Sequence, residues 1–421
     1  MKKAIITAWA VFLLVGASLL LTRKMPSSPV RVGILHSQTG TMAISEQPVI
    51  DATLLAIDQL NLQGGVLGRK VEALVVDGRS DPVEFAARAQ RLIEQEQVAV
   101  IFGCWTSASR KEVQTVVEKA NHLLVYPVQY EGVESSPSII YTGLVPNQQI
   151  KPAVKWALDN IGNRFFLVGS DYIFPHMANT MIRDLAVFLN ASVVGERYVP
   201  MGASDFDEIV REIIDTRPAV IFNTLNGESN LAFFAALNKQ QISAAEIPVF
   251  SFSMAETELQ GMFVGFGEEP LAGHYLAGSY FQTLPGKENR DFLKLFSARY
   301  GKQRRVSDSM VSAYNGVLLW AQAAEEVGSV DPAVVHRAFR RQGRNGPGGI
   351  IYIDDDNYHA WKPVRIGRIN GKGLVDLVWD SQKPIQPEPY PAYGDKNRWL
   401  ALEQNFYEQW GNRWVNPAGV E

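Results

Sequence analysis

Seven polar and aromatic side chains sit where short apolar runs give way to turns: Trp105, Ser107, Tyr126, Gln129, Tyr172, Asn226 and Glu256. Rings, a hydroxyl, amides and a carboxylate hold a small polar molecule by flat walls and hydrogen bonds. They do not break bonds by themselves. Bond-making needs an activated nucleophile or a metal, and neither pattern is present. His36, His122, His176, His274, His336 and His359 are scattered, with no pair at helical or finger spacing. The one cysteine, Cys104, follows an apolar run, where a thiol reads as a small hydrophobe. No nucleophile elbow, phosphate loop or dinucleotide fingerprint occurs. Gly64, Gly65 and Gly68 follow a helical stretch and read as a helix stop and turn. Neither an enzyme activity, a metal nor a cofactor is expected.

The elements that must position these groups are legible in the pattern. The run Val98–Phe102 is rich in β-branched residues and stops at Gly103, and a helix is predicted over Ser109–Ala120. Backbone N–H groups at such a joint have no partner inside the helix, so they face whatever lies above the sheet. The same arrangement recurs at Phe165–Val168, followed by Gly169–Tyr172 and a helix opening at Pro175. Each joint alone is also an ordinary strand–helix turn.

Strands at Val30–Leu35, Val71–Val76, Val98–Phe102 and Leu123–Tyr126 alternate with helices at Ile44–Leu60, Val83–Gln95 and Ser109–Ala120. A second series runs from Gln148 to Phe252 and carries Asn226 at one strand end. The fold class is α/β: two doubly wound parallel sheets, with ligand expected beyond the carboxyl ends of the strands. Beyond Leu271 come longer extended segments and the helices Asp291–Tyr300, Ser309–Glu326 and Pro332–Arg341. A Pro-rich stretch, Lys383–Pro391, and an aromatic tail, Asn397–Trp414, close the chain and are expected to dock on the body.

A chain of 421 residues suits two lobes of ordinary size. The net charge of -4, with no basic stripe among aromatics, excludes a nucleic-acid partner. A single cysteine excludes an intrachain disulfide. Met1-Lys-Lys precedes the uncharged apolar run Ala4–Thr22, then Arg23, Lys24 and a Pro/Ser linker to Pro29. That is an export segment; a cleaved signal and an uncleaved membrane anchor both fit, and either puts residues 30–421 outside the cytoplasm.

Longer motifs then become recognisable. Phe102-Gly-Cys-Trp-Thr-Ser-Ala-Ser-Arg-Lys111, Tyr126-Pro-Val-Gln-Tyr-Glu-Gly132, Phe165-Phe-Leu-Val-Gly-Ser-Asp-Tyr172, Phe222-Asn-Thr-Leu-Asn-Gly227 and Trp361-Lys-Pro-Val-Arg-Ile-Gly367 carry a resemblance. The chain resembles the urea-type substrate-binding proteins of ABC transporters, within the leucine/amide-binding class. The resemblance covers about residues 30 to 390. It implies a type I periplasmic binding protein fold, two lobes joined by a three-strand hinge that closes on ligand. Lobe I is expected from 30–146 and 272–345, lobe II from 147–271 and 346–382, with 1–29 an export segment and 383–421 a tail.

Tyr126-Pro-Val-Gln-Tyr130 puts bulk where the amino-acid binders of the class carry small residues and threonine, which implies a smaller, neutral ligand. The roles that follow are expectations. Ser107 and neighbouring N–H groups serve a carbonyl, Glu256 with Asp171 or Asn226 accepts N–H groups, and Trp105, Tyr126 and Tyr172 sandwich the plane, with Gln129 beside them. The implied partners are urea or a short-chain amide and an ABC permease. A sensor of the same ligands, acting through a partner protein, is the alternative.

Overall fold

The structure, a computed structural model, describes residues 28–267 and 271–417. The apolar run Ala4–Thr22, and with it the expected export segment, lies outside the described residues.

The first lobe is built on β1 (Val30–His36), β2 (Val71–Asp77), β3 (Ile101–Gly103), β4 (Leu124–Tyr126) and β5 (Ile139–Tyr141). They form one parallel sheet in the order β2-β1-β3-β4-β5. The helices α1 (Ala43–Leu62), α2 (Pro82–Glu94) and α3 (Ser107–Lys119) make the crossovers. Val32, Ile34, Val100, Ile101, Val113 and Val117 are fully buried between the layers. Helix α2 starts where Asp81 accepts the N–H groups of Val83 and Glu84, with Pro82 in its first turn.

The second lobe follows with α4 (Ile150–Asn160), β6 (Arg164–Ser170), α5 (Ile173–Phe188), β7 (Ser192–Val199), α6 (Asp207–Thr216) and β8 (Val220–Thr224). It continues through α7 (Glu228–Lys239), β9 (Val249–Ser251), α8 (Glu256–Phe266) and β10 (Tyr275–Gly278). The chain then returns to the first lobe as α9 (Lys287–Tyr300), α10 (Asp308–Val327) and α11 (Pro332–Phe339). Tyr300 there donates to the Asp51 carbonyl of α1 at 2.8 Å, and Trp320 packs edge-on against Phe102 of β3. A small antiparallel sheet, β11 (Gly343–Gly346), β12 (Gly349–Ile353) and β13 (Ala360–Trp361), comes next. Last come β14 (Arg365–Ile369), β15 (Val375–Asp380) and α12 (Lys396–Gln409).

The second sheet is therefore seven-stranded, β15-β14-β10-β9-β8-β6-β7, parallel from β10 to β7 and antiparallel at β14 and β15. The chain passes between lobes at 142–149, 279–286 and 362–364. Two expected boundaries differ. Residues 272–278 stay with the second lobe, because β10 pairs with β9 and β14. The division at 345/346 falls inside the β11–β12 hairpin, where Gly346 pairs with Gly349. Pro347-Gly348 is the turn at the tip of that hairpin.

Candidate ligand-binding site

The site grows from the end of β3. A Cβ on Gly103 would come within 2.2 Å of the Leu35 carbonyl oxygen, so only glycine lets β3 lie this close to β1 there. Cys104 then turns in the left-handed region (φ 66°), and Thr106 caps α3 by accepting the Ser109 N–H at 3.1 Å. The cap starts α3 at Ser107, two residues before the expected Ser109. Tyr126, at the end of β4, donates to the Trp105 carbonyl at 2.6 Å and braces the turn.

Across the cleft, Asn226 follows β8. Its N–H donates to the Ser170 hydroxyl at 3.0 Å and its Nδ2 to the Thr224 carbonyl at 3.1 Å, leaving Oδ1 to accept from Trp105 Nε1 at 3.4 Å. Gln129 Nε2 reaches Ser253 Oγ at 3.4 Å, and Ser45 of α1 donates to Glu258 of α8 at 2.5 Å. The two lobes are thus in contact through paired polar groups, in a closed arrangement.

Between them lies a cavity of about 40 Å³, lined among others by Trp105, Gln129, Ser253, Glu256, Tyr280 and Asp308. Among the described residues, no lysine or arginine lines it. Glu256 opens α8, is almost fully buried and accepts the Gln282 N–H at 3.1 Å. Burial pushes its carboxyl up to about 8, so at neutral pH it is an acid with a proton to donate. Asp308, the first residue of α10, accepts the Ser279 N–H at 2.9 Å and hydroxyl at 2.6 Å, and Lys362 Nζ lies 3.3 Å away.

The expected residues divide. Trp105, Gln129 and Glu256 share the cavity; Asn226 meets Trp105; Tyr126 supports from behind. Tyr172 is buried at the start of α5, and although burial pushes its phenol up, Asn226 hydrogen-bonds it. Ser107 does not line the cavity. Its hydroxyl donates to Glu131 at 2.5 Å and accepts from Arg110 at 2.9 Å. Asp171 is turned the other way, against His176 at 2.7 Å and Asn416 Nδ2 at 2.8 Å.

Ser107 belongs to a buried ionic network. Arg110 binds Glu131 at 2.9 Å and Glu134 at 3.1 Å, and Lys111 binds Glu134 at 2.9 Å and Glu403 at 3.0 Å. Burial alone would raise Glu134, but Arg110 and Lys111 hold it down to about 2, while burial pushes Glu403 up to about 7. Cys104 is fully buried, and that burial pushes its thiol well above the usual range. Sequence reasoning missed Ser253, Tyr280 and Asp308 as lining groups. The one signal was Ser307-Asp308-Ser309 before an apolar run, a helix-start pattern whose carboxylate also faces a cavity.

Residues 30–396 match the family described as "Periplasmic binding protein domain". The chain belongs to that family: it is a solute-binding protein, not an enzyme, and the family is extracytoplasmic. Leu/Ile/Val-binding protein homolog 7 of Brucella melitensis biotype 1 is 22% identical over 391 residues, spanning 85% of this chain and 92% of that protein. A protein named limonene hydroxylase from Geobacillus stearothermophilus is 35% identical over 123 residues, and the match covers 29% of this chain and 22% of that protein's length. A solute-binding protein of an ABC transporter from R. palustris, solved with 4-hydroxybenzoate, superposes with a TM-score of 0.77 at 24% identity, covering 85% of this chain and 98% of that one. That likeness shows the fold. Among the described residues no helix is long and apolar enough to cross a membrane.

Proposed function

We propose that this protein captures urea or a short-chain amide between its lobes outside the cytoplasm and delivers it to an ABC permease. One observation carries the ligand class: the cavity of about 40 Å³ has two carboxyl groups and, among the described residues, no lysine or arginine in its wall. A space of that size holds roughly three water-sized groups. The R. palustris protein was solved with an aromatic acid. Such a carboxylate here would sit against Asp308, whose ammonium partner Lys362 is already engaged by Thr142 and Ser312 and does not line the space. A planar neutral ligand with a carbonyl and N–H groups matches the lining instead. Glu256 as an acid donates to the carbonyl, Asp308, Ser253 and Gln129 accept N–H groups, and Trp105 is the flat wall, with Asn226 and Tyr172 beyond it. Membership of the family supports transport, and the similarity to an ABC-transporter solute-binding protein supports a permease as partner.

Calorimetry of the full chain against urea, acetamide, leucine and 4-hydroxybenzoate tests the reading. Heat of binding is expected for urea or acetamide and none for the two carboxylates. Tight leucine or 4-hydroxybenzoate binding with none for urea and acetamide overturns it.

A further inference from the structure

The family match ends at residue 396, yet the chain continues as α12 and a segment that runs back over both lobes. Helix α12 packs on α5 of the second lobe: Trp399 is fully buried in the core it shares with Ile182 and Leu185, and Arg398 pairs with Asp184 at 2.5 Å. After α12, residues 414–416 pair antiparallel with the loop that carries Tyr172. Ile173 N–H donates to the Trp414 carbonyl at 3.0 Å, Val415 bridges Tyr172, and Asn416 N–H donates to the Asp171 carbonyl at 3.2 Å. The same segment reaches the first lobe. Glu403 accepts from Lys111 of α3 at 3.0 Å, and that ammonium lies 5.1 Å from the centre of the Trp414 ring.

We propose that residues 396–417 form a clasp that positions Tyr172 on the second lobe and ties it to Lys111 on the first, favouring the closed cleft. Glu403 and Trp414 are carried by the second lobe, whereas Lys111 moves with the helix that begins at the Trp105 turn. Parting the lobes separates a buried ammonium from a carboxylate and an indole face. Contacts made only in the closed state shift the equilibrium toward it, with or without ligand. Asp171 thereby acquires a role other than ligand contact: it anchors the clasp beside Tyr172.

Small-angle scattering of the ligand-free full chain tests this with Trp414→Ala and Glu403→Gln, neither of which alters the cavity lining. Circular dichroism establishes that each is folded; Trp414→Ala keeps the ion pair and serves if Glu403→Gln does not fold. The radius of gyration is expected to rise in the folded variants. Where wild type binds urea, the variants' affinity falls about 5- to 150-fold, the range of ordinary conformational coupling. An unchanged radius of gyration in folded variants overturns the clasp, whatever urea does. Absence of urea binding by the wild-type chain counts only against the ligand reading.

Discussion

Lys362 holds Asp308, an acid of the cavity wall, at 3.3 Å, and its other donors go to the Thr142 carbonyl at 3.1 Å and the Ser312 hydroxyl at 2.7 Å. Thr142 lies in the first passage between lobes and Lys362 in the third. Asp308 also fixes Ser279, at the start of the second. One buried ammonium thus joins all three passages to the cavity wall.

Lys362→Met should therefore cost stability, because Asp308 and the Thr142 carbonyl lose a donor while buried or half-buried. A loss of about 1–3 kcal/mol is expected, read from guanidinium unfolding. Urea is unsuitable as denaturant, being a proposed ligand. A variant as stable as wild type would show that Lys362 is replaceable packing.

Glu256 predicts a pH dependence. Its folded carboxyl titrates near 8, far above the ordinary carboxylate range, so between that range and pH 8 the folded chain holds a proton that the unfolded chain has lost. Stability then falls as pH rises through this window and levels off above it. Glu258, pushed up to about 7 by burial, adds the same sign over a narrower range. Glu256→Gln should flatten the slope by about 1.4 kcal/mol per pH unit, measured by thermal unfolding from pH 5 to 8. An identical slope in the variant would place the titration elsewhere.

Trp105→Ala and Ser107→Ala should separate ligand contact from scaffold. Removing the indole wall is expected to weaken urea binding by about 2 kcal/mol, about 30-fold. Removing the Ser107 hydroxyl deprives Glu131 of a donor inside the ionic network and should lower stability by about 1–3 kcal/mol. Its urea affinity should stay within a few-fold of wild type by calorimetry. The opposite pairing of effects would return Ser107 to the ligand.

Cys104 should resist thiol reagents in the native chain and react only on unfolding, since it is fully buried and its thiol is held protonated by that burial. Cys104→Ala should leave urea affinity unchanged within a few-fold. Rapid native labelling would contradict the packing around β3.

Most of the sheet framework is legible in the chain because it is written locally. The apolar run before Gly103 and the cap at Thr106 lie within a few residues of each other. Polar partnerships are not local. Glu131 lies 24 residues from Ser107, and Asn416 lies 245 from Asp171, so sequence could list both groups as candidates without showing which were already engaged. The lobe boundaries slipped for the same reason. Nothing near Tyr275 announces that Arg365–Ile369 will pair beside it.

Neither lobe is a continuous stretch of chain. The first lacks α10 until residue 327 is made, and the second lacks β14 and β15 until residue 380. Contacts this distant in sequence form slowly, and domains ordinarily fold as units only once complete. A chain emerging from its N-terminus can finish neither half of the cleft until nearly all of it has been synthesised. The order of synthesis thus keeps the nascent polypeptide from presenting a finished pocket while it is still being made.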